Sequence, residues 1–226
     1  FELNQDVPCP TPRRLGSGEV AQYIALTGDR TARFCGELGR IHPLLLFHQV
    51  LSQTVRHVSL NAIANLGYAQ LVFSQPVSTG QTVHTAAEVI GLKENSSQRS
   101  GIVWLKTTAR LSSGDLVLSF VRWVMVRKRG SETTEYLNSP IVPVLPQRVC
   151  PDSLHIEHLE PLPTASQTGG KWTYEDYSVG ERIDHHDGHT ITPGEHMSFT
   201  RLFQNSARVH FDALATQSKP LVFGGY

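Results

Sequence analysis

Residues 43–55 constrain the fold more than any other stretch of this chain. Leu44, Leu45, Phe47, His48, Leu51 and Val55 recur there at helical spacing with almost no polar face, so a helix must be covered on several sides. The next eighty residues are suited to cover it. The segments 68–73, 82–91, 101–111 and 115–126 alternate or are rich in β-branched residues. Pro76, Gly80, a polar turn over 93–100 and Ser113-Gly114 separate them. Short polar connections join antiparallel neighbours, so the pattern predicts an α+β unit in which a meander wraps a buried helix.

Residues 11–29 read as a capped helix, with Ser17 as N-cap, Glu19 in the first turn, Val20, Tyr23, Ile24 and Leu26 on one face, and Gly28 as the stop. A second start signal stands at 190–195. There Thr192 is the N-cap, Pro193 the first helical residue and Glu195 the capping-box partner, succeeded by Met197, Phe199, Leu202 and Phe203. The two copies superpose at a single offset of 176 residues: Glu195 on Glu19, Phe199 on Tyr23, Leu202 on Leu26, Asn205 on Asp29 and His210 on Phe34. That is an internal repeat. The first copy has an acid and no imidazole; the second has an imidazole and no acid.

The stretch Thr200-Arg201-Leu202-Phe203-Gln204-Asn205-Ser206-Ala207-Arg208-Val209-His210-Phe211-Asp212 carries the candidate chemistry. A neutral imidazole takes a proton from water near physiological pH, since an unperturbed histidine titrates at about 6.5. Asn205 is no base, but its carbonyl can accept from that water and fix its position. Taken alone, the pair reads equally as a loop histidine bonded to backbone.

This stretch resembles the MaoC-like hotdog hydratases, whose signature after such a helix is Gly-Asp-x-Asn-Pro-x-His, the Asp and His sharing the water that adds to an enoyl thioester. Asn205 stands at the Asp position, His210 keeps the His, and Ala207 and Arg208 replace the Asn and Pro. Phe73-Ser-Gln-Pro76-Val77-Ser-Thr-Gly80 is similar to that family's Phe-x-x-Pro-Val-x-x-Gly corner. Leu60-Asn61-Ala62-Ile63-Ala64-Asn65-Leu66-Gly67-Tyr68 and Arg122-Trp123-Val124-Met125-Val126-Arg127-Lys128-Arg129 resemble the branch that hydrates mesaconyl-CoA, whose members also carry Asn in place of Asp. Trp172-Thr-Tyr-Glu-Asp-Tyr-Ser-Val-Gly180 opens a unit as hotdog hydratases open. The likeness covers nearly the whole chain and implies a double hotdog fold, with the second hotdog incomplete in this sequence. It also implies a reversible enoyl-CoA hydration that uses His210 and Asn205, needs no cofactor, and takes an acyl-CoA as partner.

The same likeness implies further roles. Gly225, with Gly224, matches the glycine whose backbone N–H receives the thioester oxygen at a helix start; a plain turn is the alternative. Arg201 and Arg208 are candidates for gripping the free carboxylate of mesaconyl-CoA, against a reading as surface charge. The His185-His186-Asp187-Gly188-His189 run lacks the spaced second cluster of a metal site and reads as a polar strand end. His42 and His48 read as core or edge histidines. Asp29, opposite Phe34, receives no catalytic role, and Arg127-Lys128-Arg129 reads as a solvated strand end that could also meet CoA phosphates.

The organisation expected is a complete but catalytically silent hotdog over 1–130, a proline-rich linker over 131–170, and the start of a second MaoC-like unit over 171–226. Zero net charge gives no support for nucleic acid, and no apolar run is long enough for a bilayer. Three scattered cysteines (Cys9, Cys35, Cys150) fit a reducing, cytoplasmic setting. A homo-oligomer or an intrachain pseudo-dimer is expected. The apolar residues of 195–210 lack their own central helix and strands here, so the natural protein is expected to continue past Tyr226 by about a hundred residues. A hotdog thioesterase and a non-catalytic acyl-CoA-binding module are the alternative functions.

Overall fold

The computed structural model describes residues 1–29, 34, 39–60, 62–130, 132–148, 150, 171–186, 188–212 and 214. They fall into two units, Phe1–His155 with Thr192–Tyr226, and Ile156–Ile191.

The first unit contains strands β1 (Asp6–Val7) and β2 (Arg13–Arg14), helices α1 (Ser17–Thr27) and α2 (Pro43–Thr54), and a π-helical turn (Val55–Ser59). Beyond the turn come four long strands, β3 (Ala62–Phe73), β4 (Thr82–Glu94), β5 (Ser100–Leu111) and β6 (Leu116–Arg127), and then helix α3 (Pro193–Leu202). The sheet runs β1-β4-β5-β6-β3 with β2 also on β4, and every pairing is antiparallel. Helix α2 is buried on several sides, as its sequence demands. Leu45, Leu46, Phe47 and Val50 share one core with Val83, Ala109, Val117, Leu118 and Phe120 of the sheet. Each such side chain contributes roughly 1.5–3 kcal/mol when buried, which is why the meander closes on the helix.

Four local features differ from the sequence reading. The N-cap of α1 is Gly16 rather than Ser17, and the Glu19 carboxylate accepts from the Gly16 N–H at 3.1 Å. Residues 13–14, read within the helix, instead pair with β4. Strand β3 begins at Ala62 rather than 68, with register irregularities between Ala62 and Ala64, Asn65 and Gly67, and Ala69 and Val72. The extra residues break the period-2 alternation that marks a strand. At Gly67 a Cβ would come within 2.5 Å of the Trp123 indole, so only glycine lets the two strands lie this close.

The fourth difference concerns α3. The sequence leaves its apolar residues without a core of their own, yet Leu202 is buried and Phe199 and Phe203 pack on the core built around α2. Gln49 of α2, itself buried, donates its amide N–H to the Leu202 carbonyl at 2.6 Å and so anchors the end of α3. Helix α3 also packs on α1, its repeat partner.

In the second unit a 3₁₀ turn (Tyr174–Asp176) is closed by Asp176, which accepts from the Thr173 N–H at 2.7 Å. His185, His186 and His189 are exposed in irregular chain, not at a strand end, and Asp187 lies outside the described residues. Among the described residues no group of three or more His, Cys, Asp or Glu side chains could hold a metal ion. No described helix is long and apolar enough to cross a membrane.

Candidate active site

The start of α3 is fixed by its capping box. Thr192 Oγ1 accepts from the Glu195 N–H at 3.3 Å, and Glu195 accepts from the Thr192 N–H at 2.9 Å. Its end is a Schellman motif: Gln204 N–H donates to Arg201 O and Asn205 N–H to Thr200 O, both at 3.1 Å. Gln204 sits in the left-handed region, φ +57°, where a glycine would ordinarily be favoured. This reversal turns Asn205 back toward α2. The Asn205 Oδ1 then accepts from the Ala207 N–H at 3.0 Å, an Asx turn that leads into a 3₁₀ turn (Arg208–His210).

The result is a cavity of about 200 Å³ against the second half of α2. Asn205 and His210 both line it, with His48, Leu51 and Ser52 from α2 and His196, Phe199, Thr200 and Phe203 from α3. The His210 Nδ1 is buried and has no hydrogen-bond partner among the described residues. Burial pushes the His48 imidazole down to about 4, and the ring stacks on Phe203 with centroids 4.2 Å apart. His48 is thus a half-buried histidine on the helix face, held by ring stacking and lining the cavity.

His196 is a site residue the sequence reading missed. Its ring centroid lies 6.3 Å from that of His210. Burial, and secondly the charge of His210, lower its proton affinity. The signal was present in the spacing: 196, 199/200 and 203 share one helix face. Arg201 and Arg208 are exposed and do not line the cavity. Gly224 and Gly225 lie outside the described residues. A larger cavity of about 500 Å³ lies at the end of the sheet beside Arg127, Lys128 and Arg129. It holds none of the paired polar groups of the repeat, and its Lys128 is ion-paired to Glu94 at 2.5 Å.

The first repeat copy is arranged differently. Asp29 pairs with His42 Nε2 at 3.3 Å, while His42 Nδ1 caps α2 by accepting from the Leu44 N–H at 3.1 Å. Phe34 and Tyr23 pack on that imidazole, with centroids at 4.6 and 4.9 Å.

No protein-family model matches the chain. It is 41% identical to mesaconyl-CoA hydratase of Cereibacter sphaeroides and 39% identical to β-methylmalyl-CoA dehydratase of Chloroflexus aurantiacus, over 100% of this chain and 69% and 68% of theirs. A solved MaoC-domain dehydratase of Chloroflexus aurantiacus superposes with a TM-score of 0.88 at 39% identity, over 99% of this chain and 66% of that one. The chain therefore spans about two thirds of the length of these relatives. A double-hotdog protein of Mycobacterium tuberculosis, 20% identical over 100% of this chain and 71% of its own, superposes with a TM-score of 0.60 and bears on the fold alone. The fold is α+β and of the hotdog type. The chain belongs to the MaoC-like double-hotdog hydratase family that includes mesaconyl-CoA hydratase and β-methylmalyl-CoA dehydratase.

Proposed function

We propose that the protein reversibly hydrates a short branched enoyl-CoA, mesaconyl-CoA to β-methylmalyl-CoA, with His210 moving the proton and Asn205 holding the water. The observation that carries this reading is the convergence of Asn205 and His210 on one small cavity of the family fold. Residues 1–130 act as the silent half and 171–226 supply the active-site loop, a pseudo-dimer within one chain.

In the forward step His210 takes a proton from water while the water oxygen bonds to the carbon β to the thioester. The electron pair of the double bond moves to the thioester oxygen, giving an enolate. The imidazolium then returns its proton to the α carbon, so one water is added across the double bond and His210 ends neutral. Asn205 Oδ1 accepts from Ala207, and the amide N–H is assigned to the water oxygen, the direction that complements His210 taking a proton from the same water. This differs from the acceptor role that the residue type alone suggests. His196, disfavoured as a cation, can share the water as a neutral imidazole. Leu51, Phe199 and Phe203 give the cavity an apolar side that suits a small acyl group. The expected oxyanion donors at Gly224-Gly225 fall outside the described residues and carry no step here.

A thioesterase of this fold needs an acid beside the central helix to drive water onto the thioester carbonyl. Among the described residues no carboxylate lines the cavity, and α2 contains none. Incubation with mesaconyl-CoA separates the readings. Loss of enoyl absorbance without release of CoA thiol is the expected result. Thiol release at the same rate would indicate a thioesterase, and neither change would indicate a binding module.

A further inference from the structure

We propose that a second cavity, next to the Asn205–His210 cavity, is the subsite for the substrate's free carboxylate, held by the guanidinium groups of Arg13 and Arg56. The inference rests on the hydration reading for the identity of the acyl group. In any four-carbon enedioyl monothioester, the carbon β to the thioester is the carbon that bears the carboxylate. The carboxylate is therefore one bond, about 1.5 Å, from the atom that takes the hydroxyl. Its subsite must adjoin the catalytic pair.

The second cavity meets that condition. It has a volume of about 220 Å³ and shares Ser52 with the first. The reversed loop divides between the two: Asn205 lines the first, while its neighbours Gln204 and Ser206 line the second. Arg13 comes from β2 and Arg56 from the π-helical turn at the end of α2. Among the described residues neither guanidinium is in an ion pair, and no Asp or Glu lines this cavity. Arg13 Nη2 donates to Gln49 Oε1 at 3.3 Å, but its buried Nε has no partner among the described residues. The same holds for both amide atoms of Gln53, which faces the same space.

Buried polar atoms are almost always bonded, so the two orphan donors in one cavity beside a reaction centre, Arg13 Nε and Gln53 Nε2, mark a place where an acceptor ligand supplies the bonds. The donors set the sign of the ligand. Two unneutralised guanidiniums favour an anion, and their planar forks fit a carboxylate. A further positive charge lies near the wall: burial raises the Cys9 thiol, and buried Arg122, bonded to Thr54 Oγ1 at 2.8 Å, partly offsets that rise. Arg201 and Arg208 line neither cavity.

The test compares binding of succinyl-CoA, which carries the carboxylate, with butyryl-CoA, which ends in a methyl group; neither has a double bond to hydrate. The parent protein is expected to prefer succinyl-CoA by about 10- to 100-fold, the range of charge-assisted hydrogen bonds. Arg56→Gln and Arg13→Gln should each remove most of that preference while butyryl-CoA affinity holds, and Arg56→Lys should retain part of it. Arg56 is exposed, so Arg56→Gln should melt like the parent and keeps the test sound even if Arg13→Gln folds poorly. An equal loss for both ligands, or an unchanged preference in Arg56→Gln, overturns the subsite. The outcome is separable from the hydration reading. A parent that prefers succinyl-CoA yet leaves mesaconyl-CoA unreacted keeps the subsite and loses the hydratase. A parent that hydrates mesaconyl-CoA with no effect of either arginine does the reverse.

Discussion

The two repeat copies share a helix start, a left-handed stop and a place on the same central helix, but they treat the groups beyond the stop in opposite ways. In the first, Gly28 (φ +68°) ends α1, and Asp29 is engaged by His42 under the rings of Phe34 and Tyr23. In the second, Gln204 takes the same conformation against its side-chain preference, and Asn205 and His210 face an open cavity. The imidazole that Asp29 meets, His42, is the N-cap of α2, so it serves a helix rather than a substrate. One copy satisfies its polar groups internally and gains rigidity. The other leaves His210 Nδ1 without a partner among the described residues, and so keeps a group available to bind.

The most forceful way to break this comparison is to exchange the ring that differs. His210→Ala is expected to lower hydration of mesaconyl-CoA by about 10²- to 10⁴-fold, the usual worth of a positioned proton carrier. Phe34→His should create no second site, because Asp29 is already paired with His42. Steady-state rates on the single variants and the double variant test both points. Activity of His210→Ala equal to the parent's would sink the assignment.

Asn205 sharpens the comparison next. Asn205→Ala removes both the water's holder and the oxygen that accepts from Ala207, and should cost about 10- to 100-fold, less than loss of the imidazole. Asn205→Asp keeps that oxygen and restores the family's residue, so it should outperform Asn205→Ala. If it is the poorer of the two, the amide nitrogen is more important than the turn.

The third expectation concerns stability rather than rate. The folded protein holds His48 at about 4 through burial, below its unfolded value of about 6.5. The unfolded chain therefore binds the proton first as pH falls, and stability present above pH 6.5 is lost between 6.5 and 4. The loss from this residue is at most about 2–3 kcal/mol, since the ring is only partly buried. Denaturant melts from pH 7.5 to 4.5 should steepen in that window for the parent and flatten for His48→Gln. Identical slopes would mean that the ring is protonated without penalty.

Legibility in the residues alone divides along a physical line. Helices α1 and α3 are readable because both carry a start signal and a stop, and the repeat shows where the second lies. Even the misplaced cap is decidable, because a capping-box glutamate stands three residues after the cap and Glu19 points to Gly16. The early part of β3 is not, since bulges disguise its alternation. Local spacing and family likeness are enough to single out Asn205 and His210 as candidates, and the two line one cavity. Arg13 and Arg56 are brought to Gln204 and Ser206 only by tertiary packing, which no local pattern encodes.

The smallest expected effect tests whether the first copy is silent. Asp29→Asn removes the charge beside His42 while keeping nearly the same shape. Hydration should be unchanged, because Asp29 and His42 lie on the other copy and line no part of the Asn205–His210 cavity. At pH 7.5 the stability cost should stay below about 1 kcal/mol, as for other partly exposed pairs. The pH dependence is the sharper readout. Burial lowers the His42 proton affinity and the Asp29 charge raises it, with burial the stronger. The net shift is downward, so His42 contributes stability above its unfolded value that is lost as pH falls. Without Asp29 only the lowering influence remains, and the acid loss should grow and extend to lower pH. An NMR titration of His42 that moves upward in Asp29→Asn would show that the carboxylate does not act on this ring. A loss of hydration in the same variant would show that the first copy takes part in the chemistry after all.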